Sequence, residues 1–224
     1  GEGTPGEDTP SHPPVHPSHP IIELFSANPW RKHAVIAILL GVVVIAGAGT
    51  MAYWHPNLVQ AVSEGLSADA VKDRKSFATY TLHIGTLLGV LFVPWLCERL
   101  GRRQALLTFF VGALASVVVT LFGATSYERI LFFGPLMTFF TIGVSGAVVL
   151  YFPELFPTRL RATGAGFGYN TARIFTAPIP ILTGQLADTY GITTAVIATA
   201  LGLYVLGILT LPFAPETKGK ALPA

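Results

Sequence analysis

The sequence predicts an all-α membrane protein with six transmembrane helices. Six stretches are apolar over about 20 residues, the length with which an α-helix crosses roughly 30 Å of hydrocarbon. Hydrophobic residues make up 51% of the 224 residues and charged residues only 12%, against about 25% in an ordinary soluble domain. The apolar runs are too long for strands and show no alternation, which favours helices over a β-barrel.

Short segments rich in proline, glycine or charge separate the predicted spans. The spans cover His33 to Trp54, Phe77 to Cys97, Ala105 to Ala124, Ile130 to Phe152, Thr163 to Ala187, and Ile192 to Phe213. They define a six-helix domain over residues 33–213, followed by a cytoplasmic tail over 214–224. Polar faces occur on the second, fourth and fifth spans, whereas the third and sixth are more uniformly apolar.

Two regions outside the spans have a distinct composition. Residues 1–20 are rich in proline, histidine, glycine and acids and are predicted to form a disordered linker. His12, His16 and His19 could bind a metal there, but the intervening prolines prevent a helical face that would bring the imidazoles together, so no metal site is predicted. Residues 21–32 are predicted to be an interfacial cytoplasmic segment, and Asn57 to Lys75 either a short amphipathic helix on the outer side or an ordered loop.

The distribution of basic residues predicts the orientation in the membrane, because short cytoplasmic loops are enriched in lysine and arginine. If the spans alternate, nine basic residues lie on the side of the termini and four on the other. The nine are Arg31, Lys32, Arg99, Arg102, Arg103, Arg159, Arg161, Lys218 and Lys220, and the four are Lys72, Arg74, Lys75 and Arg129. Both termini are therefore predicted to be cytoplasmic, in an inner or plasma membrane.

Composition also argues against several other classes of protein. The single cysteine, Cys97, cannot form an internal disulfide. The basic residues sit in short clusters between apolar runs rather than along one stripe, so nucleic-acid binding is not predicted. No cluster of nucleophile, base and orienting acid is apparent, and neither an enzymatic activity nor a cofactor is predicted.

The loop after the second span carries an acid next to several basic residues. It reads Cys97-Glu98-Arg99-Leu100-Gly101-Arg102-Arg103, and an acid at a helix end beside arginines can form charge-assisted pairs that lock one access state. This segment resembles the loop signature of the major facilitator superfamily, with Pro94 in place of the leading glycine and Glu98 in place of the usual aspartate. A plain cluster of positive charge at the inner surface is the alternative interpretation.

Two further segments resemble motifs of the same superfamily. Residues Pro153 to Gly164, with Glu154, Arg159 and Arg161, resemble the loop between spans ten and eleven of its sugar and organic-acid transporters. Pro215-Glu216-Thr217-Lys218-Gly219 resembles the motif after the last span. The chain is thus similar to the C-terminal half, spans 7–12, of metabolite and proton symporters of the sialate, aromatic-acid or sugar kind. The resemblance implies a 3+3 inverted repeat, residues 33–124 against 130–213.

Ionisable and polar side chains at membrane depth are candidate site residues, because they are costly there. Arg173 is predicted near the midplane of the fifth span, with Tyr169 and Asn170 on the same face, and its guanidinium suits a substrate carboxylate. Alternatively, it bonds backbone carbonyls or lines water. Thr138 and Thr141 give the fourth span a second polar face.

His83, in the second span, is the candidate for proton coupling because an imidazole titrates near neutral pH. A neutral histidine bonded to one hydroxyl is the alternative. No aspartate or glutamate falls at membrane depth in this sequence, so carboxylate-driven coupling is expected from the N-terminal half. Separately, Gly85 with Gly89 and Gly164 with Gly168 have the spacing that allows close helix contacts.

These features predict half of a secondary active transporter, which moves a small organic anion or sugar acid with protons by alternating access. The expected partners are the lipid bilayer and the N-terminal half of the transporter or other membrane subunits. The alternative is a non-transporting structural subunit of a larger membrane complex, derived from such a half.

Overall fold

A computed structural model of the chain describes residues 20–26 and 28–220, apart from the side chains of residues 51–53. Within these ranges the secondary structure is helical throughout, with turns between the helices. The predicted linker up to residue 19, with His12, His16 and His19, lies outside the described residues, as do the last four residues of the predicted tail. Pro20, which the sequence assigned to the linker, instead begins the first helix.

Eight α-helices and one 3-10 turn follow one another along the described chain. They are α1 (Pro20–Ser26), α2 (Trp30–Ala61), α3 (Ala68–Leu100), α4 (Arg102–Gly123), α5 (Tyr127–Glu154), α6 (Arg161–Thr176), α7 (Ile179–Tyr190), α8 (Ile192–Thr210), and the 3-10 turn Leu211–Phe213. Five of them are long and apolar enough to cross a membrane: α2, α3, α4, α5, and α8 with its 3-10 extension.

The fifth predicted span is divided rather than continuous. It forms α6, of 16 residues, and α7, of 12 residues, with only Ala177 and Pro178 between them. Pro178 and Pro180 have no N–H group, so two hydrogen bonds of the helical ladder are missing at this point. The ladder resumes when the Leu182 amide donates to the Pro178 carbonyl at 3.0 Å.

Of the two alternatives predicted for the segment from Asn57 to Lys75, the separate amphipathic helix does not form, and only residues 62–67 connect two long helices. Asn57 lies in the last turns of α2, and Lys75 lies in the first turns of α3. The Ser67 hydroxyl caps α3 by accepting from the Ala70 amide at 3.3 Å. The 33 residues of α3 extend over about 50 Å, well beyond the hydrocarbon thickness of a bilayer.

The helices form two units of three spans, α2 to α4 and α5 to α8, which pack against each other in exchanged pairs. The second span of each unit packs against the first span of the other, α3 against α5 and α6 against α2. Likewise α4 packs against α5 and α8 against α2. A two-fold relation between the units produces this exchange, so the predicted 3+3 repeat is confirmed.

The two units also resemble each other at the tight junction that precedes the third span of each. Gly101 joins α3 to α4 with φ 93° and ψ 164°, and Gly191 joins α7 to α8 with φ 83° and ψ 153°. Residues with a side chain rarely adopt such positive φ angles, so glycine is required at both junctions.

Glycines also set the closest contacts between the two units. A methyl group at Gly85 of α3 would lie 2.0 Å from the Pro135 carbonyl oxygen of α5, and one at Gly89 would lie 2.4 Å from that of Phe139. A methyl group at Gly168 of α6 would lie 2.6 Å from Ala37 Cβ of α2. The predicted role of this spacing in close helix packing is confirmed at these three positions. Gly164 differs, because it faces the ring of Phe156 from the preceding loop.

Candidate functional site

Polar residues from several helices come together in two places along the bundle. The first lies at the end that carries the α3–α4 loop, the α5–α6 loop and the C-terminal segment, called here the motif end. The second lies in a cavity among α2, α3 and α5, closer to the opposite end.

At the motif end, the first residue of α4 pairs with the last residue of α5. Arg102 Nη2 lies 2.8 Å from Glu154 Oε1, and Arg102 Nε lies 3.0 Å from Glu154 Oε2. Such a two-oxygen pair is the stronger kind of charge-assisted contact. It joins the first unit to the second.

Glu216 of the C-terminal segment caps the start of α4. Its carboxylate accepts hydrogen bonds from the backbone amides of Arg102 at 2.9 Å, Arg103 at 3.1 Å, and Thr217 and Lys218 at 3.0 Å. Burial acts to raise the pKa of the Glu216 carboxyl, but these four amides outweigh it and hold the pKa below the usual value of a glutamate. The carboxylate therefore stays charged while it satisfies the free amides of the helix N-terminus.

The C-terminal segment has three more anchors. The Thr217 hydroxyl donates to Glu154, and the Tyr151 hydroxyl donates to the Pro215 carbonyl at 2.5 Å. Lys218 Nζ donates to the Arg99 carbonyl at 2.9 Å. The three predicted motifs thus meet in one network, which the sequence alone did not connect.

The remaining motif residues lie at the edge of this network. Glu98 is exposed and makes no ion pair within the described ranges, so the acid that pairs with Arg102 is Glu154 rather than its neighbour in sequence. Arg161 Nε donates to the Pro153 carbonyl at 3.1 Å, which holds the α5–α6 loop. Arg159 forms an ion pair of 2.5 Å with Glu23 of α1.

The cavity has a volume of about 330 Å³, near the lower limit of ligand sites, roughly 300 Å³. His55 and Pro56 of α2, Thr79, His83 and Thr86 of α3, and Met137, Thr138 and Thr141 of α5 are among its lining residues. Of the residues predicted from sequence, His83, Thr138 and Thr141 are therefore brought together here.

The hydroxyl groups of the two threonines differ in their bonding. Thr138 Oγ1 donates across the helix interface to the Leu82 carbonyl at 2.9 Å, so it fixes α5 to α3. Thr141 Oγ1 is buried and has no hydrogen-bond partner in the described part of the protein. Thr141 is thus the threonine whose hydroxyl is free to bind a ligand.

His55 is a lining residue that was not predicted from the sequence. Its side chain is 2% exposed, and its Nε2 atom has no partner among the described residues. The predicted first span ended at Trp54 because Pro56 seemed to break the helix, whereas α2 continues through Pro56 to Ala61. Ala48 lies seven residues, or about two helical turns, before His55 and lines the same cavity. A helix continued through Pro56 would therefore have placed His55 on the same face as Ala48.

Arg173, Tyr169 and Asn170 form a separate group on α6. The Arg173 guanidinium lies 5.1 Å from the centre of the Tyr169 ring, and Asn170 Nδ2 donates to the Gly166 carbonyl at 2.8 Å. Arg173 and Asn170 are exposed, and none of the three lines the cavity of His55. Arg173 lies in the last turn of α6, beside the break at Pro178.

Comparisons with known proteins agree with this architecture. The family model described as "Sugar (and other) transporter" matches residues 18–224. A protein of Haemophilus influenzae, provisionally named a metabolite transport protein, is 30% identical over 86% of this chain and 47% of its own length. The niacin transporter NiaP of Acinetobacter baylyi is 29% identical over 89% of this chain and 44% of its own length.

A solved structure shares the fold. The xylose transporter XylE from E. coli, in its inward-open conformation, superposes with a TM-score of 0.70 and 15% identity over 84% of this chain. That match covers 48% of the XylE chain, and this chain spans about half the length of the curated relatives it matches. The chain is a multi-pass integral membrane protein with the fold of a major facilitator superfamily half. It belongs to the sugar (and other) transporter family.

Proposed function

We propose that this chain supplies one half of a proton-coupled symporter for a small organic anion or a sugar-like metabolite. The other half binds against it, and substrate is held between the halves while they alternate between two access states. Membership of a transporter family supports this proposal, and so does the xylose transporter fold.

The observation that carries the proposal is the pair of unpartnered polar atoms in the cavity. His55 Nε2 and Thr141 Oγ1 are buried without a hydrogen-bond partner among the described residues, and leaving such groups unsatisfied costs about 1–3 kcal/mol each. Two oxygen atoms of a substrate, from hydroxyl or carboxylate groups, would satisfy them. Met137 and Leu82 provide apolar lining beside them, the mixture that is typical of small-molecule sites.

Arg173 is proposed to clamp a carboxylate of the substrate. The planar guanidinium offers paired donors, and the Tyr169 ring beneath it restricts its orientation. Asn170 is exposed one turn before Arg173 and would add a polar contact. Arg173 lies beside the interruption between α6 and α7, where irregular backbone in a transporter commonly faces a substrate pathway.

His83 is proposed to carry the coupled proton. It lines the cavity and its side chain is exposed, so water entering from the other half would reach the imidazole. The threonine hydroxyls of Thr79 and Thr86 lie along the same wall.

The network at the motif end is proposed to keep this half rigid during the access change. Arg102, Glu154 and Glu216 tie the start of α4, the end of α5 and the C-terminal segment together, so the two units move as one body. Glu98, Arg99, Arg103 and Lys218 then face the second half, and both termini lie in the cytoplasm.

Reconstitution tests the proposal. The chain is co-expressed with, or fused to, the missing half and placed in liposomes with an inward proton gradient, and uptake of labelled organic acids and sugars is measured. We expect Thr141→Val to reduce uptake at least about tenfold while Thr79→Val, at the same cavity, has a smaller effect. A complete transporter whose uptake is indifferent to Thr141→Val and to the proton gradient contradicts this function and favours a structural subunit.

A further inference from the structure

Two grooves flank the last turns of α8 at the motif end. The first, of about 480 Å³, lies between α2 and α8, and the second, of about 520 Å³, lies between α4 and α8. They are similar in size and share α8 as a wall. Their polar residues differ, and that difference distinguishes the first groove from the second.

The first groove has a charged end and an apolar length. Arg31 and Lys32 lie at the start of α2, and Val35 and Leu39 follow them along one side of the helix at steps of three or four residues. Leu209 of α8 and Phe213 of the following 3-10 turn form the facing wall. Val35 is 47% exposed and Leu209 and Phe213 are each 63% exposed, so the apolar floor is open to an incoming chain.

The charges of this groove are of one sign and are not neutralised. Arg31 and Lys32 are exposed, and neither makes an ion pair or a hydrogen bond with the part of the chain that the structure describes. None of the described residues that line the first groove is an acid. In the second groove, Arg103 is accompanied by Glu216, so the net charge there is close to zero.

We propose that the first groove binds one anionic phospholipid, taken from the membrane leaflet that surrounds the motif end. The phosphate is held by Arg31 and Lys32, and one acyl chain lies between Val35, Leu39, Leu209 and Phe213. Basic pockets between transmembrane helices suit anionic head groups, and hydrocarbon in the groove covers side chains that would otherwise pack poorly. This site is separate from the transport cavity and does not depend on substrate.

Native mass spectrometry of the purified chain, titrated with phosphatidylglycerol or phosphatidylcholine, tests the charged end. The first phosphatidylglycerol should bind more tightly than phosphatidylcholine. Removing both charges in R31Q/K32Q should weaken it about tenfold or more, since each basic residue near an anionic surface contributes roughly a fivefold factor. The matched control K72Q/K220Q also removes two exposed charges and should leave this affinity unchanged.

A second pair of variants tests the apolar length. Leu209→Trp fills the first groove and should abolish the tight phosphatidylglycerol site although both charges remain. Leu107→Trp, in the second groove and 42% exposed, should bind as the native chain does. Size-exclusion chromatography and thermal unfolding establish that each variant is folded, and the charge-conserving R31K should retain binding.

Several results would overturn the proposal. Equal losses of phosphatidylglycerol affinity in R31Q/K32Q and K72Q/K220Q would show that binding depends only on the net charge of the protein. Native affinity in Leu209→Trp, or full competition by inorganic phosphate, would show that no acyl chain occupies the groove. Displacement of the lipid by a co-expressed second half would make the groove an interface between halves.

Discussion

Glu154, the last residue of α5, holds Arg102, the first residue of α4, through both of its carboxylate oxygens. The same carboxylate accepts from the Thr217 hydroxyl, so one acid joins both three-helix units to the C-terminal segment. Loops between transmembrane helices are ordinarily the least constrained parts of such a bundle. Here the α3–α4 loop and the C-terminal segment are held to α5 by an ion pair and hydrogen bonds of charged side chains.

Breaking this pair should lower the thermal stability of the chain. Glu154→Gln keeps the shape but removes the charge, and a double-mutant cycle with Arg102→Gln should give a coupling energy of about 1 kcal/mol. The unfolding temperature in detergent measures it. Glu98→Gln is the control, since Glu98 is an exposed acid of the same loop without an ion pair in the described structure, and it should change nothing. A coupling energy near zero would mean that Arg102 and Glu154 act independently.

Glu216 should make stability depend on pH in the acid range. Its pKa is lower in the folded chain than in the unfolded one, so its contribution is fully present above the unfolded value, about 4.3. That contribution is lost as the pH falls through the lower folded pKa. The unfolding temperature should therefore drop less steeply between pH 6 and pH 3 in Glu216→Gln than in the native chain, whereas Glu64→Gln, which alters an exposed acid, should follow the native curve. A native slope retained in Glu216→Gln would contradict this assignment.

The α3–α5 contact should tolerate no side chain at Gly85. Its β-carbon would lie 2.0 Å from a backbone oxygen, and backbone cannot move aside as a flexible side chain does. Gly85→Ala should destabilise the chain by about 1–3 kcal/mol, the usual range for overpacking. Gly202→Ala is the matched control, because nothing lies within 4 Å of the new methyl group and a helix favours alanine. Equal unfolding temperatures for the two variants would show that the helices separate more easily than this packing implies.

Orientation can be tested with a single new cysteine at each end of the bundle. Asp73 and Lys220 are exposed, and native Cys97 is 2% exposed, so it gives little background. In intact cells, an impermeant maleimide should label Asp73→Cys directly and Lys220→Cys only after the membrane is opened. The opposite pattern would reverse the predicted topology.

The sequence predicted the number and order of the spans because long apolar runs determine them almost alone. It did not predict the break in the fifth span, because that depends on two missing N–H groups within an otherwise apolar stretch. His55 was missed for a related reason: Pro56 resembles a helix end, yet α2 passes through it. Pairings such as Arg102 with Glu154 join residues 52 positions apart, and only the packing of α4 on α5 brings them together.

Substitutions at Arg173 test whether this residue binds substrate or supports the structure. In the described structure its guanidinium lies 5.1 Å from the centre of the Tyr169 ring and forms no ion pair, so we expect folding to tolerate lysine, which keeps the charge. If it clamps a substrate carboxylate, Arg173→Lys should reduce uptake by the complete transporter about tenfold or more. That is the effect of losing one charge-assisted hydrogen bond of about 1.5 kcal/mol.

The controls for the Arg173→Lys experiment are the yield and the unfolding temperature of the variant. Arg173→Lys should purify in native yield and unfold at the native temperature, because an ammonium on a flexible stem can reach water at the same exposed site. Arg129→Lys, a conservative change at the opposite end of the bundle, should leave uptake unchanged. If Arg173→Lys transports normally while Arg173→Leu fails to assemble with the second half, the residue supports structure and the carboxylate clamp must lie elsewhere.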